Sequence, residues 1–348
     1  MEKIVEIVDS AKIEKYDMIR AYFGDKKVCM FDIETTGLSP FKSFTYIIGI
    51  NVFEDGKWKI IQLFNDDGKS EPEMIRVFQS IIKEYDVMVE FNGDTFDIPY
   101  IQKRMDFIEN KFHIHLTDNF RSIESYDLMK MVRQYKFALG LPNIKQKTVE
   151  KYIGINRVDM YNGGQLIDVY LSYLAMQDER NRELVLRHNR DDMEGMILIS
   201  CMLAIDFISK RLFHYKKLYT EVSPNSEKMK LCFDIQFDMA LVRPLITYAY
   251  GIEIRGEGKL ATIKVPIESG SYNFYLGKLE KDGCVEKEGP FVPQMDCEVK
   301  GLPAYKLRCR DKESFLLLDD TFLGNEAYIC EYISNVGGKV LKYKKNRR

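Results

Sequence analysis

The sequence predicts an α/β fold, a mixed five-stranded sheet flanked by helices, followed by a smaller β-rich domain. Three observations carry that expectation. A buried-type strand over Val28–Ile33 is followed by a hairpin, helical and extended patterns then alternate, and beyond Lys217 short β-type segments separated by Gly, Asp and Pro turns take over. At 348 residues the chain exceeds the usual size of one domain. The expected division is a helical lead-in over 1–25, an α/β domain over 26–217, a linker at 218–225 and a β-rich domain over 226–348.

In chain order, Ala11–Phe23 has helical character and ends at Gly24-Asp25. The run Val28-Cys29-Met30-Phe31-Asp32-Ile33 is apolar and ends in Glu34-Thr35-Thr36-Gly37, as a central strand with a functional tip would. Tyr46–Val52 and Trp58–Phe64 flank Asp55-Gly56, a strong hairpin signal. Pro72 opens a helix whose apolar residues Met74, Ile75, Phe78, Ile81 and Ile82 fall at helical spacing. Val87–Phe91 is a strand, and a helix follows from about Phe96 to Met105. Ser122–Leu128 reads as a short strand, and the chain is then mainly helical to about Lys210. In the amphipathic segment Leu184–Ile208, residues Leu184, His188, Asp192 and Met196 share a face.

Composition excludes some classes. Apolar residues make up 45% and charged residues 30%, ordinary for a globular protein, and no apolar stretch is long enough to span a bilayer. Without a signal-peptide pattern at the N-terminus, the expected location is cytoplasmic. The seven cysteines include no C-x-x-C pair and read as free thiols. Net charge is only −2, but residues 211–348 carry 23 Lys and Arg against 19 Asp and Glu, while 1–210 carry 28 against 34. An acidic half that gathers cations beside a mildly basic half is compatible with a polyanionic substrate.

The chemistry concentrates in three acidic segments. Asp32 and Glu34, two apart on a strand, project from one face, and a divalent cation is the simplest reason for two acids there. Oxygen donors suit Mg²⁺ or Mn²⁺. The segment Asp32-Ile33-Glu34-Thr35-Thr36-Gly37-Leu38 resembles the first motif of the DEDD (DnaQ-like) 3′–5′ exonuclease superfamily. Glu90-Phe91-Asn92-Gly93-Asp94-Thr95-Phe96-Asp97-Ile98-Pro99 resembles the second motif of its YprB-like ribonuclease-H-like subfamily, with Asp97 matching the ligand position and Asp94 the lesser alternative. A bland reading of Asp97 is a helix N-cap. His188-Asn189-Arg190-Asp191-Asp192 resembles the third motif. Asp191 points about 100° away from Asp192 on a helix. His188 stands at the four-residue spacing that tyrosine-type members use, whereas histidine-type members use five. The segments Ser125–Leu128, Lys147–Ile155 and Arg157-Val158-Asp159 extend the resemblance over residues 26–205.

The resemblance implies a ribonuclease-H-like fold and a metal-dependent exonuclease of single-stranded nucleic acid, DNA or RNA. Asp32, Glu34, Asp97 and Asp192 would hold two divalent ions, Mg²⁺ or Mn²⁺, with Asp32 bridging them. His188 would take a proton from the attacking water. Thr35, Asn92 and Phe96 would line the terminal-nucleotide pocket, and Leu38 would wedge against a base. Two alternatives stand beside this: a structure-selective endonuclease on the same fold, and a catalytically quiet nucleic-acid-binding scaffold.

Overall fold

The computed structural model describes residues 1–157, 163–222, 228–276, 284–307 and 313–344. Several sequence expectations lie outside them: Val158 and Asp159 of the resemblance, residues 223–225 of the expected linker, and, among the seven cysteines, Cys309 and the side chain of Cys284. Two compact units are present, Met1–Arg133 with Leu141–Cys201, and Gln134–Gly140 with Met202–Arg348.

The first unit has a ribonuclease-H-like fold. Its strands are β1 (Glu2–Ile7), β2 (Val28–Thr35), β3 (Thr45–Glu54), β4 (Lys57–Phe64), β5 (Val87–Glu90) and β6 (Glu124–Asp127). The helices are α1 (Ser10–Ile13), α2 (Ile19–Phe23), α3 (Glu71–Ile82), α4 (Asp97–Phe112), α5 (Leu128–Tyr135), α6 (Gln146–Tyr152), α7 (Gly163–Met176) and α8 (Glu179–Ile199). The sheet order is β1-β4-β3-β2-β5-β6, antiparallel from β1 to β2 and parallel from β2 to β6.

Six strands replace the expected five, and the lead-in is not purely helical. The sixth strand is β1, paired antiparallel with β4 from Glu2↔Phe64 to Ile7↔Lys59. It is an edge strand that leaves Val5 and Ile7 exposed, so its apolar pattern does not announce a buried face. Long-range contacts fix it instead. Arg182 Nε donates to Glu2 at 3.2 Å and Arg190 Nε to Glu6 at 3.2 Å, both from α8.

Alternation along β2 divides two cores. Phe31 and Ile33 face Met74, Ile75 and Phe78 of α3 and Tyr100 and Ile101 of α4. On the other side of the sheet, Tyr46, Ile47 and Phe64 pack against Leu166, Tyr170 and Tyr173 of α7 and Val185 and Leu186 of α8. Asp32 and Glu34 lie on strand positions opposite in parity to Phe31 and Ile33, hence on the α8 side. Helix α8 begins at Glu179 and ends at Ile199, earlier than the expected run to Ile208. Ser200–Asp206 tightens into a 3₁₀ turn.

In the second unit, β7 (His214–Val222), β8 (Met229–Gln236), β9 (Leu245–Ala249), β10 (Ile252–Glu257) and β11 (Leu260–Pro266) form an antiparallel sheet ordered β7-β8-β11-β10-β9. Strands β12 (Glu268–Leu276), β13 (Cys284–Pro293), β14 (Tyr305–Leu307) and β15 (Ser314–Leu317) close a small barrel. The expected linker at 218–225 is therefore strand as far as Val222, where Tyr219 pairs with Cys232. The unit also holds α9 (Asp320–Leu323) and the sixteen-residue α10 (Glu326–Leu341), capped by Asn325. Phe233 of β8 packs on Tyr332 of α10 at 5.6 Å between ring centroids. Among the described residues, no helix is long and apolar enough to cross a membrane.

Candidate metal centre

The site forms where α8 crosses β2 and β3. Gly49 of β3 pairs with Asp32, and a Cβ on it would lie 2.6 Å from Asn189 Oδ1 and 2.7 Å from Met193 Cγ. Only a residue without a side chain lets the helix come this close. Asn189 is fully buried. Its Oδ1 accepts from Gln62 Nε2 at 3.0 Å, and its Nδ2 donates to Asp32 Oδ2 at 3.4 Å. Gln62 also donates to the Leu186 carbonyl at 2.8 Å, so β4 holds the amide that orients the Asp32 carboxylate.

Asp97 arrives from the opposite side of the sheet. It is the first residue of α4, preceded by Phe96 at the cap position, and is not itself the cap as the bland reading supposed. Its Oδ1 accepts the backbone N–H of Ile33 at 3.2 Å, and the side chain is buried. A carboxylate in the first helical turn is also favoured by the helix dipole.

One turn of α8 supplies His188 and Asp192. His188 Nε2 lies 3.2 Å from Asp192 Oδ2 and 3.6 Å from Glu34 Oε1. Single ligand atoms of Glu34, His188 and Asp192 lie within 4.8 Å of one another. Tyr46 donates its hydroxyl to Glu34 Oε2 at 3.4 Å, and Arg157 pairs with Asp192 Oδ1.

This crowding shifts the titrations. Burial, then the charges of Asp97, Glu34 and Asp192, pushes the Asp32 carboxyl well above the usual range. Burial, then Asp192 and Asp97, raises Glu34 to about 8, against the hydrogen bond from Tyr46. Burial raises Asp97 to about 7, against the N–H of Ile33. His188 moves down, chiefly through burial, although Asp192 opposes the change. Carboxylates gathered at such cost call for a cation. A donor set of carboxylate oxygens fits a hard divalent cation.

The remaining predicted residues are arranged differently. Leu38 is 84% exposed at the tip beyond β2, and Thr35 donates its hydroxyl to the Gly37 carbonyl at 3.0 Å. Asn92 adopts φ +74°, and its Oδ1 accepts from Thr95 Oγ1 at 2.7 Å. Phe96 packs on Tyr100 at 5.4 Å between ring centroids. Asp94 turns to Lys130 and Ser125, within a separate group that also contains Glu90 and Asp127. Asp191 pairs with Arg190 at 3.2 Å, on another side of α8 from Asp192.

Sequence reasoning did not single out Asn189, Gln62, Gly49, Tyr46 or Glu150. Asn189 alone had a usable signal, a polar residue next to His188 on a face that helical spacing turns toward the sheet. The others contact the site from strands and a helix distant in sequence.

A sequence model described as RNase H superfamily matches residues 29–203. DNA polymerase 1 of Sulfurisphaera ohwakuensis is 32% identical over 178 residues, covering 43% of this chain and 20% of the polymerase. A DNA polymerase of Thermococcus sp. (strain 9oN-7) is 35% identical over 101 residues, covering 26% and 13%. The chain thus spans a fifth or less of the length of these two relatives. Among solved structures, the family B DNA polymerase of Pyrobaculum calidifontis aligns over 91% of this chain and 46% of its own, at 12% identity and a TM-score of 0.44. The zinc-bound E. coli ExoI–ssDNA complex aligns over 61% and 54%, at 12% identity and a TM-score of 0.28.

Proposed function

The chain belongs to the RNase H superfamily, and from that premise we propose that it is a metal-dependent nuclease of the DEDD type, cutting single-stranded nucleic acid from the 3′ end. One observation carries the reading: acids from β2, α4 and α8 meet in one partly buried nest beside His188. The YprB-like motif around Asp97 and the third DEDD motif around Asp192 support the same assignment.

In this mechanism Asp32, Glu34, Asp97 and Asp192 would hold two divalent ions, Mg²⁺ or Mn²⁺. Such ions lower the pKa of a bound water and stabilise the leaving 3′ oxygen. His188 accepts the proton of the attacking water at Nε2, the ring nitrogen that faces Glu34 and Asp192. Burial moves its pKa down, which favours the proton-accepting form of the ring, and Asn189 keeps the Asp32 carboxylate turned toward the nest. The exposed Leu38 meets the terminal base by apolar contact, while Thr35, Asn92 and Phe96 border the nucleotide. Free thiols at Cys29, Cys201 and Cys232 accord with a cytoplasmic location.

The test is a digestion panel of 5′-labelled linear and circular single strands and duplexes, DNA and RNA, with Mn²⁺ or Mg²⁺. The expected result is stepwise shortening of the linear single strand, absent in Asp97→Ala. Opening of the circle would make it an endonuclease, and inertness toward every substrate would leave a binding module.

A further inference from the structure

We propose that Arg157 is a positioning residue for this centre, holding the Asp192 carboxylate so that only Oδ2 is presented to the metal ions; the inference rests on the nuclease reading above. The two oxygens of Asp192 have separate partners. Oδ1 is taken by Arg157 Nη2, while Oδ2 lies 3.2 Å from His188 Nε2. A carboxylate gripped at one oxygen cannot turn about its terminal bond, so its second oxygen stays directed at Glu34 and His188. Without that grip both oxygens are available, and a hard cation can draw the group into bidentate or misdirected ligation.

Arg157 lies beyond the end of α6, so its side chain is placed by contacts rather than by regular backbone. Those contacts form a continuous support. Arg157 Nε lies 3.5 Å from Glu150 Oε2, and the Glu150 side chain is 2% exposed. Glu150 Oε1 accepts from Gln146 Nε2 at 3.1 Å, and the same amide donates to the main-chain carbonyl of Asp192 at 3.1 Å. Asp192 is therefore gripped twice, at its backbone by Gln146 of α6 and at its carboxylate by Arg157 just beyond that helix. Gly195 makes room, because a methyl group there would overlap the Glu150 carboxylate.

Stability does not account for this arrangement. An apolar pair of similar volume would join α6 to α8 without the desolvation cost of a buried Glu–Arg pair. What the charged pair adds is orientation. A planar guanidinium reaches Glu150 and Asp192 through different nitrogens at once, which the single ammonium of lysine does not reproduce. Outer partners of this kind, once removed, cost about 10–100-fold in metal affinity or activity.

The test uses the full chain, stripped of metal and titrated calorimetrically with Mn²⁺, with kcat and KM measured on a single-stranded oligonucleotide. The double variant Arg157→Gln/Glu150→Gln removes the guanidinium together with the deeply buried Glu150 charge, so that Glu150 is not left unpaired. It should melt near wild type in chelator, bind Mn²⁺ about 10–100-fold more weakly, and lose kcat with KM unchanged. Arg157→Lys should also bind Mn²⁺ more weakly than wild type. Asp32→Asn separates the two readings. If it leaves Mn²⁺ binding untouched, the metal centre itself is wrong. If it abolishes binding while the double variant or Arg157→Lys titrates and turns over like wild type, the role of Arg157 alone is overturned.

Discussion

The backbone N–H of Ile33 donates to the Asp97 carboxylate at 3.2 Å, tying the middle of β2 to the first turn of α4. One hydrogen bond thus registers the third acid against the strand that carries the first two. Ile33 itself packs in the core with α3 and α4, so the donor cannot drift.

Replacing Asp97 by Asn keeps an acceptor for that N–H and removes the charge. Cleavage should fall by at least about 10²-fold, as for loss of a group that supports the reacting centre directly. In chelator at pH 8 the variant should melt no lower than wild type, because a carboxylate raised to about 7 is costly when ionised there. A clear fall in Tm under those conditions would mean that the charge stabilises the metal-free fold.

The same shifts predict how stability depends on pH. Glu34, at about 8, and Asp97, at about 7, keep protons in the folded chain that the unfolded chain releases near pH 4. The native state therefore binds more protons across that window, and metal-free stability should fall as pH rises from about 4 to 8. Mn²⁺ displaces those protons, so its stabilising effect should grow over the same range. Scanning calorimetry in chelator and in Mn²⁺ at pH 5.5 and 8 measures both slopes; equal Mn²⁺ shifts at the two pH values would contradict the assignment.

Gly49→Ala tests the close approach of α8. The added Cβ would stand 2.6 Å from Asn189 Oδ1 and 2.7 Å from Met193 Cγ. Helix and strands must separate or the side chains must leave their rotamers, at about 1–3 kcal/mol. Urea denaturation should register that loss, together with reduced cleavage as Asn189 shifts away from Asp32. An unchanged midpoint would show that α8 yields without cost.

His188→Gln keeps a polar side chain of similar reach and removes the titrating group. Turnover should drop about 10²–10⁴-fold, and the acidic limb of the pH–kcat profile should disappear, with Mn²⁺ binding weakened far less than by Asp32→Asn. Survival of the limb would assign the base elsewhere.

Much of the centre was legible from local pattern. An apolar run ending in Asp32-Ile33-Glu34 puts two acids on one face of a strand whatever surrounds it, because side chains alternate at every second residue. Likewise His188 and Asp192 share a helix face through their four-residue spacing. Edge strand β1 was not legible, since two of its three apolar residues are exposed and its partners are Phe64 and Arg182, far along the chain. Helix α10 was hidden by the β-rich pattern before it, although Asn325 marks its start.

The order of residues along the chain by itself determined which carboxylates could act together in pairs, because strand and helix periodicity are properties of the local backbone. Only the tertiary structure decided that Asp97 would reach β2, that Asn189 would hold Asp32 and that Arg157 would hold Asp192. Those relationships depend on how closely two distant elements approach, and that distance is set by packing, here by the missing side chains of Gly49 and Gly195.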